Sequence, residues 1–138
     1  MEKNLITVAP DDKLEVVKQL FDENNIHHLP VVRYREIVGM ISKTDFAHFL
    51  HGFAQNSVDQ LLESVRLNAW KAKEIMTAKL AKVEADDPIS LAIDLFKLNR
   101  FHALPVLEGE ALVGIVTTFN IINAIAAQPV ELEDYRNK

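Results

Sequence analysis

Ser42, Lys43, Thr44 and Asp45 follow directly on a run of apolar residues at 37–41 and precede a stretch of helical periodicity. A strand ending at Ser42 with a helix beginning within two residues would present unpaired N–H groups and the positive end of the helix dipole, a setting that favours an anion. Ser42 and Thr44 add hydroxyls and Lys43 adds a positive charge, while Asp45, an acceptor-only carboxylate, can receive both hydroxyls of a ribose. Thr44 or Asp45 could equally cap the helix, a common use of these residue types, and spacing alone leaves both readings open. Three of the five histidines, His27, His28 and His102, stand at the mouths of short apolar runs, where a half-buried polar residue at a strand end is the plainer reading. Metal chemistry is not expected: His48 and His51 share a helix face, but three or four convergent ligands are needed and no third is evident. The four glycines, Gly39, Gly52, Gly109 and Gly114, form no phosphate-cradling loop. No nucleophile stands at a telling distance from a base, so binding rather than catalysis is expected.

The elements that must position these residues emerge from an internal duplication. Shifted by 75 positions, the chain matches itself without a gap from Val8/Val83 through Gly39/Gly114, with Asp11/Asp86, Phe21/Phe96, His27/His102 and Leu29-Pro30-Val31/Leu104-Pro105-Val106 identical. A repeat of this kind indicates two copies of one supersecondary unit packed together. In each copy a β-prone run (Leu5-Ile6-Thr7-Val8 in the first) leads to an acidic turn. Asp12, with Glu15 three residues on, has the spacing of a capping box, and Pro88 suits a first helical position. Apolar residues at Leu14, Val17, Leu20 and Phe21, and at Ile89, Ala92, Ile93 and Phe96, have helical period. Asn24-Asn25 and Asn99-Arg100 are expected to stop these helices through a left-handed cap. Apolar runs at 29–32 and 37–41, and at 104–107 and 112–116, split by polar turns, predict two β-hairpins. Helical period returns at Phe46, Phe49, Leu50 and Phe53, and at Ile121, Ile122 and Ile125. Each unit therefore reads strand–helix–strand–strand–helix, and the class is α+β.

The copies divide the chain at 1–69, where an extended second helix serves as linker, and at 70–127, leaving a polar tail at 128–138 that is expected to fray. The linker carries Val58, Leu61, Leu62, Val65 and Trp70, a face that fits either the inside of the pair or a dimer interface. With 138 residues, 49% apolar and 25% charged, and no Cys, the chain can bury a core without staples. Disulfides and thiolate chemistry are excluded. A net charge of -5 argues against a nucleic-acid partner, whose phosphates favour basic surfaces. No membrane-length apolar run or signal peptide is evident, so a cytoplasmic setting without a membrane partner is expected.

Glu74-Ile75-Met76-Thr77, Asp87-Pro88, Leu104-Pro105-Val106 and Leu112-Val113-Gly114-Ile115-Val116-Thr117 follow one another in an order that resembles the cystathionine-β-synthase (CBS) domain. The first copy carries Thr7-Val8-Ala9-Pro10, Leu29-Pro30-Val31-Val32 and Val38-Gly39-Met40-Ile41-Ser42-Lys43-Thr44-Asp45, so the chain resembles a tandem CBS pair, or Bateman module, from Leu5 to Ala127. The resemblance implies two β-α-β-β-α repeats related by a pseudo-two-fold axis, their sheets meeting across a cleft. It implies a non-catalytic regulatory module that takes AMP, ADP, ATP or an S-adenosylmethionine-like ligand, and needs no other cofactor. The regulated protein is not named by it, and a degenerate pair serving only as a dimerisation scaffold is the alternative. The family's ribose-phosphate motif is met by Gly39, Ser42 and Asp45. In the second copy Gly114, Thr117 and Thr118 are in place but Asn120 replaces the acid, so a weaker ribose grip is expected there. By the same resemblance His27, His28 and His102 are candidates to face phosphates. Met1-Glu2 aligns with Met76-Thr77, so the first copy lacks the residues that lead into the Ile-Met-Thr segment, whether the chain begins there or is a fragment of a larger protein. Uncovered stripes at Phe46/Phe49/Phe53 and Leu61/Leu62/Val65 suggest a homodimer shaped as a flattened disc.

Overall fold

The computed structural model of the chain describes residues 5–51, 57–98 and 100–127, with the side chains at 51, 57–60 and 62 outside that description. The first repeat comprises α1 (Leu14–Glu23), an antiparallel hairpin of β1 (His28–Arg33) and β2 (Glu36–Ser42), and α2 (Lys43–His51). α3 (Ser57–Ala69) and the short α4 (Ala72–Ile75) connect it to the second repeat. That repeat contains β3 (Val83–Glu84), α5 (Ile89–Lys97), a hairpin of β4 (Ala103–Glu108) and β5 (Ala111–Thr117), and α6 (Thr118–Ala126). The duplication extends to irregularities: His28 pairs with Ser42 and Ala103 with Thr117, and the register slips between Val31 and Val32 and again between Val106 and Leu107. Both hairpins close on tight turns with a positive φ, at Tyr34 (59°) and at Gly109 (65°).

Several local expectations are corrected. The run at 5–8 makes only one parallel bridge, Val8 to Val31, because Pro10 begins the turn two residues later, whereas the second copy keeps the two-residue β3 beside β4. Asp12 does not cap α1; its Oδ2 accepts the Ala9 N–H at 2.9 Å, and Lys13 stands at the cap without a side-chain bond. Asp87 does the same with Glu84 at 2.8 Å, so that Pro88 becomes the cap residue rather than the first helical one. A short carboxylate can satisfy a turn N–H as readily as a helix N–H, and here the turn takes it. Asn24 is extended, not left-handed (φ -128°), and ends α1 by donating its side-chain N–H to the Leu20 carbonyl at 2.9 Å. Asn99 lies outside the described residues.

The first core gathers Leu14, Val17 and Phe21 of α1 under Leu29, Val31, Ile41 and Phe46. Val83, Ala92, Leu104 and Val106 form its counterpart. Ile37, Met40 and Ile115 form a third cluster, joined by Leu80 and Leu112, which welds the two hairpins together. Phe46, expected on an uncovered stripe, is only 5% exposed because it packs on Phe21 with ring centroids 5.6 Å apart. Phe49 is half-buried against Trp70, and Phe53 and the Leu62 side chain lie outside the described residues. α3 serves two roles: Leu67 is buried in the first core, while Leu61 and Val65 are 73% and 63% exposed. The second copy has an apolar face of its own uncovered, with Phe119, Ile122 and Ile125 of α6 more than half exposed.

The approach to the second repeat is built into the first. Leu14 N–H donates to the Trp70 carbonyl (3.0 Å), Ala72 N–H to that of Asp12 (2.8 Å) and Lys73 N–H to that of Pro10 (3.0 Å). Asp11 holds Lys73 at 2.9 Å, and this ammonium lowers the exposed carboxyl's pKa below the ordinary range. Met76 then lies over Gly39 so closely that an added Cβ would stand 2.6 Å from its Cγ and 2.9 Å from its Cβ. Contacts that near to the root of a side chain cannot be relieved by moving its tip. Gly39→Ala is therefore expected to cost about 1–3 kcal/mol, the usual range for overpacking. Urea unfolding of Gly39→Ala, Met76→Ala and the double variant checks this: the pair should cost less than the sum of the singles.

Candidate functional site

Each hairpin hands over to a helix at a corner fixed by the strand beside it. Lys43 N–H donates to the His27 carbonyl at 2.8 Å, and Thr118 N–H donates to that of His102 at 3.2 Å. The histidines at the strand mouths are thereby tied through their own backbones to the two corners. Helix capping falls to the last strand residue in both copies. Ser42 Oγ accepts the Asp45 N–H at 3.0 Å, and Thr117 Oγ1 accepts that of Asn120 at 3.1 Å. Neither Thr44 nor Asp45 is the cap residue. Only the second corner closes the reciprocal bond, with Thr117 N–H donating to Asn120 Oδ1 at 2.9 Å. Among the described residues Asp45, exposed like Lys43 and Thr44, makes no side-chain hydrogen bond.

A cleft of about 560 Å³ opens between the repeats beside the second corner, within the ~300–1,000 Å³ usual for small-molecule sites. Leu5, Ile6, Asn25, Ile26, His27 and His28 contribute the wall from the first repeat. His102, Ile115, Thr117, Thr118, Phe119 and Asn120 contribute the wall from the second. The structure thus brings together six of the ten residues singled out from the sequence. Ser42, Lys43, Thr44 and Asp45 occupy the equivalent corner of the first repeat and do not line this cleft. Leu5, Ile6, Asn25, Ile26, Ile115 and Phe119 were not singled out. Their signal lies in the tertiary crossing of the repeats, although the clustering of Asn25 and Ile26 beside the paired histidines was available in the chain. Among the described residues no three His, Asp or Glu side chains converge as a metal would need.

The cleft combines apolar residues with hydroxyls, amides and imidazoles, and no Asp or Glu is among the residues that line it. His28 is half-buried, and burial pushes its pKa below the ordinary value near 6.5. The neighbouring His27 and His102 push in the same direction, and Asp45 partly opposes them. Three imidazoles and one carboxylate therefore share one electrostatic environment, with His28 favouring its neutral form.

A two-repeat α+β unit with a cleft between its repeats is the class that fold and site define. The CBS-domain family model matches residues 1–52 and again 72–127, and the chain belongs to that family as a tandem CBS pair. A CBS domain-containing protein of Dictyostelium discoideum is 29% identical over 128 residues, 91% of this chain and 87% of its own length. An inosine-5'-monophosphate dehydrogenase of Thermoplasma acidophilum is 28% identical over 121 residues, 87% of this chain. The chain spans only 21% of that dehydrogenase's length. Among solved structures, CBSX2 in complex with AMP superposes with a TM-score of 0.72 at 23% identity, covering 91% of this chain and 92% of that one. The CBS domain of a CBS domain-containing membrane protein from Sphaerobacter thermophilus superposes with a TM-score of 0.74 at 23% identity, over 86% and 80% of the two chains. In this chain, no helix among the described residues is long and apolar enough to cross a membrane.

The lowered pKa of His28 has a consequence for stability. Below pH 6.5 the unfolded chain takes up a proton that the folded chain resists, so stability rises with pH through this window and falls on acidification. Urea unfolding between pH 5.5 and 7.5 should show this slope, and His28→Gln should flatten it. An unchanged slope in the variant would assign the effect to other groups.

Proposed function

We propose that the chain is a non-catalytic regulatory module that binds an adenosine nucleotide in the cleft between its repeats. The observation that carries this reading is the cleft's composition. Its apolar residues suit a base, while Thr117, Thr118, Asn120 and three imidazoles offer donors to a phosphate, and no Asp or Glu is among the residues that line it. Membership of a family with an AMP-bound member of the same fold supports AMP, ADP, ATP or an S-adenosylmethionine-like molecule as the ligand class. The first test is thermal unfolding with these nucleotides. Ligand at 100 times its Kd should add about 2.7 kcal/mol to stability, and no shift with any of them would overturn the reading.

Phosphate recognition by the histidines makes binding depend on pH. A phosphate facing His27, His28 or His102 raises the imidazole pKa in the complex, so binding takes up protons and affinity rises as pH falls from 8 toward 6. Protonation of the phosphate itself, near pH 6, flattens the trend below that. Adenosine lacks the phosphate and should show no such trend. Calorimetric Kd values for AMP and adenosine across this range check the point, and parallel profiles would make the histidines purely structural.

A second reading, a ligand-free dimerisation scaffold, is favoured by the exposed α6 face and by Leu61 and Val65 of α3. Contiguous exposed apolar surface commonly marks an interface, and a homodimer is compatible with either reading. Light scattering should give twice 15.6 kDa, and Ile122→Glu should return the mass to that of one chain. A monomeric wild type would remove this reading while leaving nucleotide binding open to its own test.

A further inference from the structure

Tyr34 is the first of the two turn residues between β1 and β2, and its φ of 59° is the conformation that glycine supplies at this place in a hairpin. The second repeat follows that rule. Its equivalent residue is Gly109, with φ 65°, and a Cβ added there would meet nothing within 4 Å. Glycine suits position 109 for its backbone and not for want of room. In the first repeat the same backbone carries a bulky side chain, an uncommon and strained combination. Internal packing does not offset the strain, since Tyr34 is 97% exposed and its hydroxyl makes no hydrogen bond among the described residues.

Arg33 and Arg35 flank this ring. Both are exposed, and among the described residues neither forms an ion pair or a side-chain hydrogen bond. Glu36 stands opposite Arg33 in the hairpin register without forming an ion pair with it. The nearby carboxylates are already engaged. Asp11 is held by Lys73 at 2.9 Å and Lys71 at 3.9 Å, and Arg33 adds to the positive field around it. Asp12 and Glu74 accept the backbone N–H groups of Ala9 and Lys71. Positive charge is thus the less satisfied sign at this end of the hairpin. Tyr and Arg are also the residue types that dominate binding energy at protein interfaces. We propose that the Arg33-Tyr34-Arg35 tip docks an acidic segment of a partner protein, the ring packing on an apolar side chain and the guanidiniums taking carboxylates. The net charge of -5 disfavours a long polyanion such as nucleic acid, whereas a short acidic segment need meet only the tip. The tip lies the length of β1 from His28, roughly 16 Å, so docking there does not rest on the nucleotide reading.

Fluorescence anisotropy on the whole chain tests this, with a labelled peptide of four Glu around one Leu as probe and its Lys counterpart as control. The Glu peptide should bind saturably, more weakly as salt is raised, and the Lys peptide should not bind. Tyr34→Gly removes the ring and relieves the backbone, so it should weaken the Glu peptide at least about tenfold without lowering the melting temperature. Tyr34→Phe keeps the ring and should bind within about threefold of the wild type. Replacing Arg33 and Arg35 together by Ala should cost about tenfold as well and remove most of the salt dependence. No saturable binding of the Glu peptide, equal binding of both peptides, or an unchanged Kd in Tyr34→Gly would each overturn the inference. Tighter binding of an oligouridine than of the Glu peptide would overturn it in favour of a nucleic-acid contact. An oligomeric mass that falls in Tyr34→Gly would overturn it in favour of a contact between copies of this chain.

Discussion

The lead-in to the second repeat completes the sheet of the first. Met40 and Thr77 exchange two backbone hydrogen bonds of 3.0 and 2.9 Å, and Met76 lies on the hydrogen of Gly39, where no side chain would fit. Chain entering the second repeat is thus an edge of the first, and the two units are not free to drift as separate beads. The shared cluster of Ile37, Met40 and Ile115 follows from this, since Met40 faces it while pairing with Thr77. A further backbone bond, Leu112 N–H to the Arg35 carbonyl at 3.1 Å, joins the hairpins. With both hairpins held, the walls of the cleft between them stand at a set separation, and a ligand need not pay the full cost of ordering them.

Within that frame the chemistry is set by the two corners. Tying each corner N–H to a histidine carbonyl places imidazoles from both repeats beside the same cleft. Burial and the neighbouring imidazoles keep His28 from charging readily. The duplication is therefore symmetrical in backbone and unequal in chemistry. One corner carries an open carboxylate beside Lys43, and the other an amide already engaged with Thr117.

Much of this was legible in the chain. The paired apolar runs split by polar turns and the 75-residue register located both hairpins to within a residue or two, because strand pairing depends on a local pattern. The duplicated slips at Val31/Val32 and Val106/Leu107 follow from the same repetition. Asp12 and Asp87 misled because one side chain can satisfy either a turn or a helix N–H, and only the folded chain shows which lies in reach. Gly39 was legible as part of a motif but not as the seat of Met76, a contact across 37 positions of sequence that no spacing rule encodes. For the same reason the residues from Leu5 to Ile26 that wall the cleft could not be paired with Thr117 and Asn120 before the crossing of the repeats was known.

Three histidines from two repeats line one cleft, and the proposed function has them meet a nucleotide phosphate there. Imidazole proton resonances followed by NMR during titration with AMP test it most directly. The signals of His27, His28 and His102 should move together and saturate at one Kd, while that of His48, outside the walls of the cleft, should stay in place. Saturable AMP binding that leaves all three signals unmoved would contradict it.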